Sequence, residues 1–167
     1  MKKIFFSIFL CAAASVTTSA QFVLNTTGFV DKNDETKDYI VIEMPGYSQQ
    51  QLYSMVKSMV ISNYVSPKTV LSDNEPVNLC ITGMEKVKFS ILINTFSYNV
   101  VFHFKDGKIK FHPKFISLKT PDGLEAGLFK NGKPRSVMKK TIVQCEDIIN
   151  GIYEKSIAIK APPKENW

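Results

Sequence analysis

The stretch VVFHFKDGKIKFHPKF, residues 100–115, alternates apolar and polar side chains on both sides of one Asp-Gly pair. Alternation with a period of two is typical of a β-strand with one buried face, and Asp-Gly favours a two-residue hairpin turn. With Asp106 and Gly107 as that turn, Lys105 lies opposite Lys108. The stretch therefore predicts an antiparallel hairpin with aromatic side chains on one face and basic side chains on the other.

The same alternation precedes this hairpin and predicts a longer meander. Residues 70–72 lead into a turn rich in Asp, Asn and Pro, and Gly83 separates the first two of the strands that follow. The four predicted strands lie at 77–81, 87–93, 100–104 and 109–115. Because each is apolar at every second position, the sheet is expected to bury one face and leave the other uncovered.

A strand and a helix are predicted before the meander. Residues 38–43 are rich in β-branched and aromatic side chains, and Pro45-Gly46 ends this run. Ser48 and Gln51 then have the spacing of a capping box, in which each side chain accepts a hydrogen bond from the other residue's backbone. Apolar residues recur at helical spacing as far as Tyr64, so one face of this helix is expected to be buried.

A second helix is predicted after the meander, at about residues 136–159. Its apolar stripe runs from Met138 to Tyr153. Asn150-Gly151 is expected to end or kink this helix, since glycine costs about 1 kcal/mol inside a helix. The predicted fold class is therefore α+β, namely a strand, a helix, a four-stranded antiparallel meander and a helix, with both helices on one face of the sheet.

The predicted domain organisation has four parts. Residues 38–160 form a single domain, preceded by an extended, solvated segment at 21–37 and followed by a tail at 161–167. Residues 1–20 are predicted to be a signal peptide. They combine two lysines, an apolar run at 4–14 too short to span a bilayer, and small residues before Ala20.

Cleavage near Ala20 predicts an exported protein, either periplasmic or secreted, with no membrane span in the mature chain. The mature chain has 19 basic and 15 acidic residues, a formal charge of +4. This charge is too mild to favour nucleic acid as the partner. Cys80 and Cys145 remain after cleavage, and the expectation is that they stay unpaired on different layers, with a disulfide between them as the alternative.

No catalytic, cofactor-binding or metal site is predicted. Phosphate-binding loops, nucleophile elbows and CxxC pairs are absent from the sequence. His103 and His112 are the only histidines, and their hairpin neighbours are lysines, which disfavour a bound cation. The hairpin instead predicts a basic outer face for an anionic partner, with a merely solvated face as the alternative. The residues of this face are His103, Lys105, Lys108, Lys110, His112 and Lys114.

A second candidate contact lies in the long loop at 118–134. Leu128 and Phe129 form an apolar pair within it. Long loops of this kind are often functional, so the pair is either an exposed contact for a partner or a plug over the edge of the sheet.

Several short strings resemble a family of secreted bacterial domains of unknown function with a TBP-like fold. They are DYIVIEMPG at 38–46, Leu52-Tyr53, NYVSP at 63–67 and KDGK at 105–108. The chain departs from the family at 109–111, where related hairpins continue with aromatic and basic residues. The resemblance implies a curved sheet with helices on one side, and it implies no activity and no catalytic residues.

The function predicted from these observations is a non-enzymatic, exported binding or envelope-associated module that uses its open sheet face. The candidate partners are an acidic glycan, a lipid head group or an envelope protein. The alternatives are a small envelope enzyme with an unrecognised site, or a structural subunit of an envelope assembly with an exposed loop around Leu128 and Phe129.

Overall fold

The computed structural model describes residues 21–64 and 70–159, so the predicted signal peptide and the predicted tail at 161–167 lie outside the described residues. The strands in chain order are β1 (Phe22–Asn25), β2 (Gly28–Asp31), β3 (Ile40–Glu43), β4 (Val70–Asn74), β5 (Asn78–Phe89), β6 (Leu92–Lys105), β7 (Lys108–Lys119), β8 (Phe129–Lys130) and β9 (Lys133–Pro134). The helices are α1 (Gln49–Tyr64) and α2 (Lys139–Ile157), and a 3-10 turn at Ser136–Met138 leads into α2.

The main sheet of the described chain has five antiparallel strands in the order β3-β7-β6-β5-β4. Strands β4 to β7 form a four-stranded meander, as predicted, but the strand boundaries differ. Residues 70–74 form a full strand, and 78–89 form one strand where two were predicted. The turn after β5 lies at Ser90 and Ile91, where Ser90 adopts a φ of 53°.

Gly83 does not break the strand, and this prediction is wrong for a packing reason. Gly83 lies inside β5 directly opposite Tyr98 of β6, and a Cβ at this position would collide with the Tyr98 ring. Tyr98 is buried. The glycine therefore makes room for an aromatic ring that crosses the strand pair.

The predicted register of the β6–β7 hairpin is confirmed. Lys105 pairs with Lys108 across the turn, and Phe102 pairs with Phe111. The two phenylalanine side chains are fully buried, and their rings meet edge to face with centroids 5.3 Å apart. Apolar side chains of both helices join them in one hydrophobic core, which gives the predicted α+β arrangement.

The predicted capping box at the start of α1 is confirmed. The Ser48 backbone N–H donates to Gln51 Oε1 at 2.8 Å, and the Gln51 backbone N–H donates to Ser48 Oγ at 3.3 Å. These two bonds satisfy backbone donors that have no partner inside the helix.

The turn of the β6–β7 hairpin also holds the start of α1. Asp106 Oδ1 accepts the backbone N–H of Gln49 at 2.8 Å, and the Gln49 side chain donates to the Phe104 carbonyl at 2.9 Å. The Gly107 N–H donates to the Tyr47 carbonyl at 2.8 Å. A carboxylate at a helix N-terminus is favourable both as an acceptor and through the helix dipole. Helix and hairpin are therefore fixed to each other at this point.

Residues 21–37 do not form a solvated segment, and this prediction is corrected. Strands β1 and β2 make a hairpin whose Phe22, Leu24 and Phe29 are buried in the same core as the rest of the domain. The polar residues that suggested solvation lie in the turns between these side chains. The fold therefore begins before residue 38.

Helix α2 continues through Asn150-Gly151, so the predicted end or kink is wrong. Asn150 is buried, where its Oδ1 accepts the backbone N–H groups of Gln21 and Phe22, and its Nδ2 donates to the Phe22 carbonyl at 3.0 Å. Glu146 Oε1, one turn earlier, accepts the Leu24 N–H at 2.8 Å. Side chains of α2 thus form hydrogen bonds with backbone groups of β1 and of the residue before it, which explains why a polar residue is buried on this helix.

Cys80 and Cys145 are both free, as expected. Cys80 is half-buried on β5, whereas Cys145 is fully buried on α2. Burial raises the pKa of the Cys145 thiol to about 12, so this thiol stays protonated and unreactive.

Asp106→Ala tests the contact between the hairpin turn and α1. We expect the free energy of unfolding, measured by urea denaturation, to fall by about 1 kcal/mol, as for the loss of a helix N-cap acceptor. Asp106→Asn keeps an acceptor and an Asn-Gly turn, so it should retain most of that stability. Equal stability of Asp106→Ala and the unmodified chain would contradict the proposed role of this contact.

Candidate binding face

The side of the main sheet opposite the helices is called the open face here, and it bears the six residues predicted for partner binding. His103 and Lys105 lie on β6, and the other four lie on β7. Their side chains are exposed or half-buried, while the alternate residues of both strands are buried or partly buried against the core. The structure therefore brings all six predicted residues to one surface.

A pocket of about 270 Å³ lies at the hairpin end of the open face. Val41 of β3 and Tyr39, the residue just before that strand, line one part of this pocket. Four of the predicted residues complete it, and they are His103, Lys105, Lys108 and Lys110. Tyr39 and Val41 were not among the predicted residues, because nothing in the local sequence pattern indicates that β3 pairs with β7.

His112 and Lys114 lie further along β7, beside a second depression of about 230 Å³. Asp38 also lines this depression, and its Oδ2 lies 3.0 Å from His112 Nε2. These two predicted residues are therefore on the same face as the first pocket but outside it.

Side chains of β3 and of the residue just before it hold two of the lysines of the basic face. Glu43 lies 3.1 Å from the Lys108 ammonium, and the Lys110 ammonium lies 3.8 Å from the centre of the Tyr39 ring. A cation over an aromatic face is held by the ring quadrupole. Within the described chain, Lys105 and Lys114 have no acidic side chain within salt-bridge distance. These two ammonium groups are free to meet an anion.

Both histidines on the open face have a lowered pKa. For His103, partial burial disfavours the charged imidazole, and Lys110 and Lys114 add repulsion. For His112, burial again lowers the pKa, and the attraction of Asp38 offsets this only in part. Both rings are therefore neutral near pH 7, and the positive charge of the face comes from lysines.

The strand register adds three lysines at the other end of the open face. Lys119 and Lys86 lie on either side of Thr95, and the Lys86 ammonium donates to Thr95 Oγ1 at 2.7 Å. Lys88 follows two residues along β5, and all three lysines are exposed. The position of Lys119 on this face could not be predicted from alternation along β7, because an irregularity between β6 and β7 at Ser97 and Tyr98 shifts the register there.

The predicted contact loop is not exposed as an apolar pair. Leu128 is buried in the core, and Phe129 is half-buried against it. The prediction of an exposed contact is therefore wrong, because the core accepts these side chains. Internal packing, which was the alternative for this pair, agrees with their positions.

No group of three or more His, Cys, Asp or Glu side chains is placed to hold a metal ion in the part of the chain that the structure describes. Among residues 21–64 and 70–159, no helix has the length and apolar character of a membrane span.

Residues 39–118 match the model of a family described as a domain of unknown function (DUF4468) with TBP-like fold. This part of the chain is therefore similar to DUF4468 domains. The open face belongs to the five strands β3 to β7, which all lie within or nearly within the match, whereas α2 and the β1–β2 hairpin lie outside it.

Two solved structures are similar to the chain. A DUF4468 family protein from Bacteroides ovatus superposes with a TM-score of 0.61 at 15% identity, over 75% of this chain and 86% of the other. A TBP-like protein from Parabacteroides distasonis gives a TM-score of 0.53 at 9% identity, over 73% and 92% of the two chains. These likenesses establish the fold. Among curated proteins, none matches the chain.

Proton titration of the two imidazoles, followed by NMR, tests the electrostatics of the open face. We expect both midpoints below 6.5, the ordinary value for histidine. Asp38→Asn removes the attraction that favours charged His112, so the His112 midpoint should fall further while His103 changes little. A midpoint at or above 6.5 for either ring would contradict this account of the face.

Proposed function

We propose that this protein is an exported, non-enzymatic binding module that holds an acidic glycan on its open face. The observation that carries the proposal is the pocket at the hairpin end, where lysines surround an aromatic ring and an aliphatic side chain. Export is inferred from the basic start, apolar run and small residues at 1–20.

The charges around the pocket favour an anion. Lys105, Lys108 and Lys110 line it, and among the described residues Glu43 is the acidic side chain that pairs with one of them, Lys108. Clustered cations on one surface raise the local concentration of anionic ligands and accelerate their association. Lys114 extends the positive potential along β7.

The uncharged lining favours a sugar over a simple anion. Tyr39 and Val41 offer apolar surface for the C–H face of a pyranose ring, and neutral His103 can exchange hydrogen bonds with hydroxyl groups. An acidic glycan combines these apolar faces, hydroxyl groups and negative charges in one chain. Each of these three features therefore has a counterpart in the lining, namely the apolar side chains, the imidazole and the lysines.

The size of the pocket favours contact with part of a longer chain over enclosure of a whole small molecule. Its volume of about 270 Å³ is just below the range of about 300–1,000 Å³ that is typical of sites enclosing a small molecule. A surface of this depth suits one or two units of a longer chain. The burial of Leu128 also removes the exposed loop on which the structural-subunit alternative relied.

Charge reversal tests this proposal. Lys108→Glu, Lys110→Glu and Lys114→Glu together should abolish retention on immobilised heparin or polygalacturonate, because three cations become three anions at the site. The unmodified chain should be retained and should elute earlier as the salt concentration rises. Neither protein should be retained on neutral dextran.

The matched control reverses three exposed lysines elsewhere, namely Lys32, Lys130 and Lys133. This variant makes the same change in net charge but leaves the pocket lysines in place. Its retention should therefore stay close to that of the unmodified chain. Equal loss in both triple variants would mean that net charge alone drives retention, and it would contradict a glycan site on the open face.

A further inference from the structure

An exposed apolar tip lies at the opposite end of the sheet from the glycan pocket. Ile91, in the turn between β5 and β6, is 93% exposed, and its neighbours Leu92 and Ile93 are 43% and 52% exposed. Lys105 lies twelve positions after Ile93 on β6, which corresponds to roughly 40 Å along an extended strand. The tip and the pocket are therefore separate surfaces.

Two further apolar side chains join this tip. Leu124 is 65% exposed and Val137 is 58% exposed, and both line a cavity of about 630 Å³ together with Leu92. The loop that carries Leu124 is fixed, since the Thr120 N–H donates to the Leu124 carbonyl at 2.9 Å and the Ala126 N–H donates to a carbonyl of β7. The apolar tip is defined by Ile91, Leu92, Ile93, Leu124 and Val137.

Cations surround the apolar tip. The start of α2 is held against β5, because Thr141 Oγ1 donates to the Lys88 carbonyl at 3.0 Å and Gln144 Oε1 accepts the Lys88 N–H at 2.9 Å. This contact brings exposed basic residues of β5 and α2 together. Lys119 of β7 lies across Thr95 from Lys86, and Arg135 lines the cavity. The basic collar consists of Lys86, Lys88, Lys119, Arg135, Lys139 and Lys140.

Acidic residues offset only part of this charge. Asp122 and Glu125 line the cavity, and Glu85 precedes Lys86 on β5. Three carboxylates against six cations leave the collar positive. The collar and the tip therefore present positive charge around projecting apolar side chains.

We propose that this end of the molecule docks on an anionic lipid bilayer, with the apolar tip inserted among the acyl chains and the basic collar against the head groups. Large apolar side chains gathered on a surface mark an interaction site. A projecting tip with surrounding cations matches the interface of an anionic membrane, where both apolar burial and charge attraction contribute. This inference uses other residues than the glycan pocket and does not depend on it.

Co-sedimentation with vesicles tests the proposal, using the chain from residue 21 onward, which contains every described element of the fold. The protein should bind vesicles of phosphatidylcholine with phosphatidylglycerol and not vesicles of phosphatidylcholine alone. Ile91→Asp and Leu124→Asp should each lower binding about tenfold or more, since each removes apolar burial. Lys86→Glu with Lys88→Glu should weaken it by a similar factor.

Two control variants separate this surface from others. Ile61→Asp changes an isoleucine on α1 that is 49% exposed, and it should leave vesicle binding unchanged. Lys108→Glu with Lys110→Glu damages the glycan pocket and should also leave most vesicle binding intact. The proposal is overturned by failure of the unmodified chain to bind the anionic vesicles, or by equal binding of Ile91→Asp.

Insertion of the apolar tip into the bilayer can be measured separately from binding, by tryptophan fluorescence. In a chain carrying Ile91→Trp and Trp167→Phe, the fluorescence of the tip tryptophan should shift to shorter wavelength with anionic vesicles and be quenched by brominated lipid. Emission that stays at the wavelength typical of water while the chain sediments with vesicles would overturn insertion. Capture by an acidic protein instead of vesicles would assign the tip to a protein partner and would likewise overturn the proposal.

Discussion

Phe102 and Phe111 face each other across β6 and β7, fully buried with their ring centroids 5.3 Å apart, and this pairing decides which side chains reach the open face. A slip of one residue in a strand turns its whole set of side chains over. Such a slip would bury His103 and Lys110 under the helices, where an unpaired charge is costly. The bonds between the Asp106-Gly107 turn and the start of α1 hold the register at the hairpin end.

This register gives the molecule two different ends on one sheet. At the hairpin end, lysines surround Tyr39 and Val41, which suits an acidic glycan. At the other end, cations surround exposed Ile91 and Leu124, which suits an anionic bilayer. The two proposals together describe a module that lies at an envelope surface and holds a polysaccharide away from it. Each rests on its own residues, so either can fail without the other.

The parts of this structure that depend on near neighbours could be predicted from the sequence. The β6–β7 register and the capping box of α1 follow from residues within a few positions of each other. The parts that depend on distant contacts could not. The pairing of β3 with β7, which brings Tyr39 to the pocket, has no local signal, and the role of Asn150 becomes visible only when β1 lies against α2. Propensity alone would end the helix at Asn150, whereas tertiary hydrogen bonds keep it intact.

Hydroxyl-radical footprinting of the folded chain tests the two-faced sheet most directly. Met84 is 45% exposed and His103 lies on the open face, so both should be oxidised readily. Met138, 5% exposed, and the fully buried pair Phe102 and Phe111 should be protected until the chain is unfolded in denaturant. Oxidation of Phe102 and Phe111 in the folded chain, together with protection of His103, would place the opposite face in solvent and contradict the account.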